Sequence, residues 1–110
     1  MSLSKASSLT YFAFIPIGIH RINTHGPKAL FDVVTTWRSL NSARQDGIHV
    51  LYCAAFARSL ASEANDALEL NKRMYLDARD NRVTLPMSLY DQLAGYFRKH
   101  GLNDLAEVLP

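Results

Sequence analysis

The sequence predicts a mainly α protein of α+β type: an N-terminal extended strand, a long αα-hairpin, a small β-hairpin, and a C-terminal helix with a short final turn. Three observations lead there. Leu9 to Ile19 is dense in aromatic and β-branched residues and is interrupted by Pro16, which damages a helix and suits an edge strand or a groove. Residues 30–72 repeat apolar side chains at helical spacing with no proline among them. Asp80-Asn81 beside Val83-Thr84-Leu85 has the form of a tight turn leading into a strand.

Length and composition set the frame. A chain of 110 residues, 48% hydrophobic and 20% charged, is enough for one soluble domain with its own core. A single cysteine excludes a disulfide framework and multi-cysteine metal centres. The net charge of +2 is too mild for a dedicated nucleic-acid or membrane binder, and no apolar run approaches the roughly 20 residues that span a bilayer. The charge is uneven: residues 1–60 hold six basic and two acidic side chains, and residues 61–110 hold six basic and eight acidic.

Taken in order, residues 1–8 are serine-rich and read as a flexible terminus, followed by an extended apolar segment over 9–22 and a helical body over 27–110. The apolar segment does not read as a leader peptide, because His20-Arg21-Ile22-Asn23 stands where the small residues of a cleavage site belong. Gly26-Pro27 opens the first helix, whose stripe is Leu30, Val33, Val34, Trp37 and Leu40. A break is expected within Asn41 to Gly47, with Asp46 capping the next helix. That helix is expected to be the longest, from about Ile48 to about Lys72, with a Glu69–Arg73 pair on its surface. Met74 to Pro86 then reads as the β-hairpin. Ser88 and Asp91 form a weak capping box before a helix that turns Leu89, Tyr90, Leu93, Tyr96 and Phe97 inward. Gly101 suits the left-handed position after that helix, and Asn103 can cap a last turn to Leu109.

The search for chemistry returns little. Cys53 sits among Leu51-Tyr52 and Ala54-Ala55-Phe56, the surroundings of a small buried hydrophobe rather than of an activated thiol. His20, His25, His49 and His100 make no metal-ligand spacing. Glu63, Asp66 and Glu69 lie three apart, which suits a solvated helical face and lacks the Glu-x-x-His pattern of a di-metal site. The five glycines are dispersed, so no phosphate-cradling loop and no Gly-x-Ser-x-Gly elbow is present. No catalytic residue, metal or cofactor is assigned, and an enzyme is not expected.

One passage, Arg82-Val-Thr-Leu-Pro-Met-Ser-Leu-Tyr-Asp-Gln-Leu93 continuing through Gly101 to Leu105, resembles the strand–helix–helix of ribbon-helix-helix repressors. The resemblance implies a dimeric DNA-binding regulator in which Arg82 and Thr84 face the major groove. The chain departs from that pattern in its short second helix and in the seventy-odd residues ahead of the ribbon. Leu76-Asp77 through Pro86 is also similar to the hairpin of swapped-hairpin transition-state regulators, without the strands that follow it there.

The leading expectation is a non-enzymatic, dimeric regulator of the inhibitor or antiactivator type. It would be cytoplasmic and would bind another protein, such as a transcription factor. Its interface is expected at Tyr11, Phe12, Phe14, Ile15, Ile17 and Ile19, where a strand apolar on both faces exceeds what three helices can cover.

Overall fold

A computed structural model describes residues 3–40 and 46–110, with side chains described from residue 13 onward. Six α-helices follow one another: α1 (Leu3–His25), α2 (Ala29–Leu40), α3 (Ile48–Ser59), α4 (Ala67–Asp80), α5 (Met87–Lys99) and the short α6 (Asn103–Glu107). Among the described residues there is no strand, so the α+β expectation gives way to an all-helical fold.

The largest correction is at the N-terminus. The segment expected to be extended over 9–22 is helical and belongs to α1, with Pro16 inside it. A lone strand there would leave its N–H and C=O groups without a sheet to pair them, whereas a helix satisfies them internally. Proline withholds only one backbone hydrogen bond, and Pro16 lies on the exposed side. The opposite side carries Phe14, Ile15, Gly18, Ile19 and Ile22 at helical spacing, and this face packs against α2 and α3. Gly18 marks the closest approach. A Cβ placed on it would fall 2.8 Å from both Leu51 Cδ2 and Val33 Cγ1.

A tight turn joins α1 to α2, with Gly26 at φ 96° and its N–H donating to the Ile22 carbonyl at 2.9 Å. α2 buries Leu30, Val33, Val34 and Trp37, as its stripe predicts, and leaves Leu40 exposed. The expected break after α2 lies mostly in 41–45, outside the described residues. Asp46 is not the cap of α3, because the capping position is Gly47 in the left-handed region, without a side-chain cap.

The long helix expected over 48–72 is two helices. α3 ends at Ser59, α4 begins at Ala67, and α4 runs on to Asp80 through the first arm of the expected hairpin. No glycine or proline makes the break. The run Ser62-Glu-Ala-Asn-Asp66 does so with residues that offer the backbone local alternatives to helix, and the Ser62 hydroxyl accepts from the Ala64 N–H at 3.2 Å. Glu63 therefore lies in a connection, and the three acidic residues do not share one helical face. α4 continues because Met74, Tyr75 and Ala78 extend the buried stripe begun by Ala67, Leu70 and Asn71.

Residues 81–86 form a loop. Val83 and Leu85 are buried and Thr84 exposed, an alternation like a strand's, but the loop pairs with no other segment as sheet. It is closed instead by the Leu85 N–H donating to the Tyr90 hydroxyl at 3.1 Å. α5 starts after Pro86, without the Ser88 capping box, and buries Leu89, Tyr90, Leu93 and Phe97. It ends in a Schellman motif: Gly101 at φ 80°, the Leu102 N–H on the Phe97 carbonyl at 2.8 Å and the Gly101 N–H on the Arg98 carbonyl at 3.0 Å. α6 folds back on α5 and buries Ala106, with Leu102 rather than Asn103 at its capping position. The core is continuous from Ile22 through Trp37, Tyr52, Phe56 and Met74 to Phe97.

Candidate interaction surface

α1 distributes the expected interface residues over two sides of one helix. Phe14 is half-buried and sets its ring 5.2 Å from that of Trp37 in α2. Ile15 and Ile19 are also half-buried against the core. Ile17 points the other way and is 56% exposed, with Ala13 and Pro16 exposed beside it in the helical register. The side chains of Tyr11 and Phe12 lie outside the described residues. The six positions are thus not one surface: three serve the protein's own core, and Ile17 alone among those described faces solvent.

After the apolar stretch, α1 turns polar. Arg21 is exposed, and Asn23 accepts from Arg58 Nε of α3 at 2.8 Å. Lys28, in the α1–α2 turn, reaches Asp66 at the start of α4 at 2.8 Å and holds that carboxyl below the usual carboxylate range. Both partners are more than half exposed, so the pair adds little to stability.

A second constellation joins α2, α3 and α4. The fully buried Tyr52 donates its hydroxyl proton to Asp77 Oδ2 and accepts from Arg38 Nη2 at 2.7 Å, and Arg38 Nη1 lies 3.8 Å from the same carboxylate. Burial first, and then the Asp77 carboxylate that accepts its proton, push the Tyr52 phenol well above its ordinary pKa. Such a phenol must stay neutral in the folded state. It therefore stabilises the fold fully below its ordinary pKa near 10 and progressively less above it, by about 1.4 kcal/mol per pH unit. Tyr52→Phe is expected to flatten this alkaline loss in urea titrations between pH 9 and pH 11; an unchanged slope would contradict the assignment. These residues are 14 and 25 positions apart, and nothing in the local sequence signals their meeting.

The remaining expectations place as follows. Arg82 and Thr84 are exposed in the 81–86 loop, Arg82 at φ 57°, and they border a groove with Asp46 and His49. Residues 81–86 pair with no other segment within the chain, so the described residues show no strand of the kind the resemblance implied. Glu69 pairs with Lys72 at 3.3 Å rather than with Arg73, whose guanidinium instead lies 3.9 Å over the Phe31 ring. Cys53 is half-buried, and burial raises its thiol pKa, away from a reactive thiolate. Among the described residues no group of three His, Cys, Asp or Glu is placed to hold a metal, and no helix is long and apolar enough to cross a membrane.

Comparison with family models, with characterised proteins and with solved structures gave no match.

Proposed function

We propose that this chain is a non-enzymatic regulatory protein that acts by binding another polypeptide, in the manner of an inhibitor or antiactivator, and that it pairs with a second copy of itself through the N-terminal half of α1. The observation that carries this reading is a mismatch of lengths. α1 has 23 residues, and the helices it packs on, α2 and α3, have 12 each. At 1.5 Å per residue, α1 spans roughly 35 Å against roughly 18 Å for its neighbours. Phe14 stacks on Trp37, one turn before α2 ends, so the helix N-terminal to Phe14 runs on past its partners. From Ala6 to Ile19 the sequence carries no charged side chain, and Ile17 is exposed on the side of α1 turned away from the core. Apolar area of this kind is the usual core of an interface. The positive balance of residues 1–60 against the negative balance of 61–110 supplies complementary charge for a second copy at the rim.

Ile17→Glu tests the reading, because Ile17 contributes to the outer side and not to the core. Light scattering coupled to size-exclusion chromatography is expected to give a dimer for the parent chain and a monomer for the variant, with a change in stability within about 0.5 kcal/mol. A parent chain that remains monomeric across the concentration range, or a variant that dimerises equally well, would remove the proposal's support.

A further inference from the structure

The bend between α3 and α4 is made without the residues that normally force one. Residues 60–66 contain neither glycine nor proline. Among the described residues, positive φ angles occur only at Gly26, Gly47, Arg82 and Gly101, none of them in this link. Leu60 keeps helical angles, φ −69° and ψ −26°. No residue of the link is therefore barred from a helix by its side chain or by its handedness.

What closes the bend is polar and incomplete. Asn71 of α4 donates Nδ2 to the Ser59 carbonyl at 3.2 Å, and the Ser62 N–H donates to that same carbonyl at 3.2 Å. Ser59 and Asn71 are both fully buried, yet the Ser59 hydroxyl and Asn71 Oδ1 have no partner, a cost the fold carries at this bend. In a continuous helix the Ser59 carbonyl would instead accept from the Glu63 N–H, and each link residue would gain a bond of the helix ladder.

The two sides of the bend are also separable. α1, α2 and α3 pack on one another, α5 packs on α6, and the chief contact between residues 3–59 and residues 67–110 is α4 against α3. That contact is antiparallel: Tyr52, in the N-terminal half of α3, meets Asp77 near the end of α4, and Ser59 meets Asn71. An antiparallel pair of this kind is self-complementary between copies. When α3 and α4 join end to end, α4 of one chain lies on α3 of a second, and the second returns the same contact about a two-fold axis at the link.

We infer that two copies of this chain exchange α4, α5 and α6 across a hinge at 60–66. In the exchanged pair α3 and α4 of each copy form one helix from Ile48 to Asp80, roughly 50 Å long. The contacts of the single chain outside the hinge recur between copies, so the balance sets the new helical bonds of the link against the freedom lost on association. This exchange does not rest on the outer side of α1.

The test uses the full chain carrying Ile17→Glu, which removes pairing through α1. Light scattering coupled to size-exclusion chromatography follows dimer formed at about 1 mM. Ser62→Ala with Asn65→Ala replaces the weak helix formers of the link and is expected to raise the association constant at least tenfold, whereas Ala61→Gly with Ala64→Gly should lower it at least tenfold. In dimer prepared from isotope-labelled and unlabelled chains, the NMR contact between the Tyr52 ring and Asp77 is expected between chains, because within one straightened chain the two lie roughly 37 Å apart. A Ser62→Ala, Asn65→Ala chain that stays monomeric at about 1 mM overturns the inference. So does a dimer whose Tyr52–Asp77 contact lies within one chain, or a glycine pair that leaves the association constant unchanged.

Discussion

Trp37→Ala is expected to lower the stability of the fold by about 3–5 kcal/mol, the largest loss of any single truncation considered, read from urea unfolding followed by far-ultraviolet circular dichroism. The indole is fully buried in α2 and carries the Phe14 ring of α1 on one side. Its removal opens a cavity where α1 and α2 meet, which the close-packed surroundings can fill only in part. At about 4–8 °C per kcal/mol for a domain of this size, the melting temperature should drop by well over ten degrees. A loss below about 1 kcal/mol would mean that α1 does not rest on Trp37 at all.

The second large effect belongs to Gly18→Leu. Even the first carbon of a new side chain would stand 2.8 Å from Leu51 Cδ2 and from Val33 Cγ1, and both of those residues are buried with little room to turn aside. Overpacking of this severity costs about 3 kcal/mol or more and should push α1 off the α2–α3 pair. Gly18→Ala supplies the contrast. Its methyl carbon meets the same two contacts but adds nothing beyond them, so with about 1 kcal/mol of helix propensity in its favour this variant should lose about 1–2 kcal/mol, less than leucine. The same urea titrations compare the two. If leucine were tolerated as well as alanine, the tight crossing at Gly18 would not exist.

The legible parts of the fold are those where local preference and burial agree. Leu30, Val33, Val34 and Trp37 form one stripe, with Asp32, Thr35, Thr36, Arg38 and Ser39 off it, and that stripe is the buried face of α2. Leu89, Tyr90, Leu93 and Phe97 do the same for α5, and Gly101 ends it in the left-handed region as its sequence suggests. α1 misleads for the opposite reason. Its helical set, Phe14, Ile15, Gly18, Ile19 and Ile22, is present in the sequence, but Ala13, Pro16 and Ile17 on the far side are apolar too, so no contrast between faces shows the period. Isoleucine, phenylalanine and an internal proline then favour strand locally, and packing on α2 and α3 overrides them.

The hairpin misleads in a similar way. Asp80-Asn81 ends a helix rather than turning a ribbon, and the apolar stripe continuing through Met74, Tyr75 and Ala78 is what extends α4 to that point. Of the candidate interface, the sequence locates the apolar segment but neither its helical form nor which side of it faces solvent, since both depend on where α2 and α3 lie. The Arg38–Tyr52–Asp77 cluster is tertiary and has no local signature.

Pro16 has no N–H with which to reach the carbonyl four residues before it, so the ladder of α1 has a missing rung close to where the helix leaves its neighbours. The length after that gap is tied to the body through Gly18, Ile19 and Ile22, and the turn before it is tied by the Phe14 ring against Trp37. At that rung α1 is therefore held by side-chain packing rather than by its own backbone.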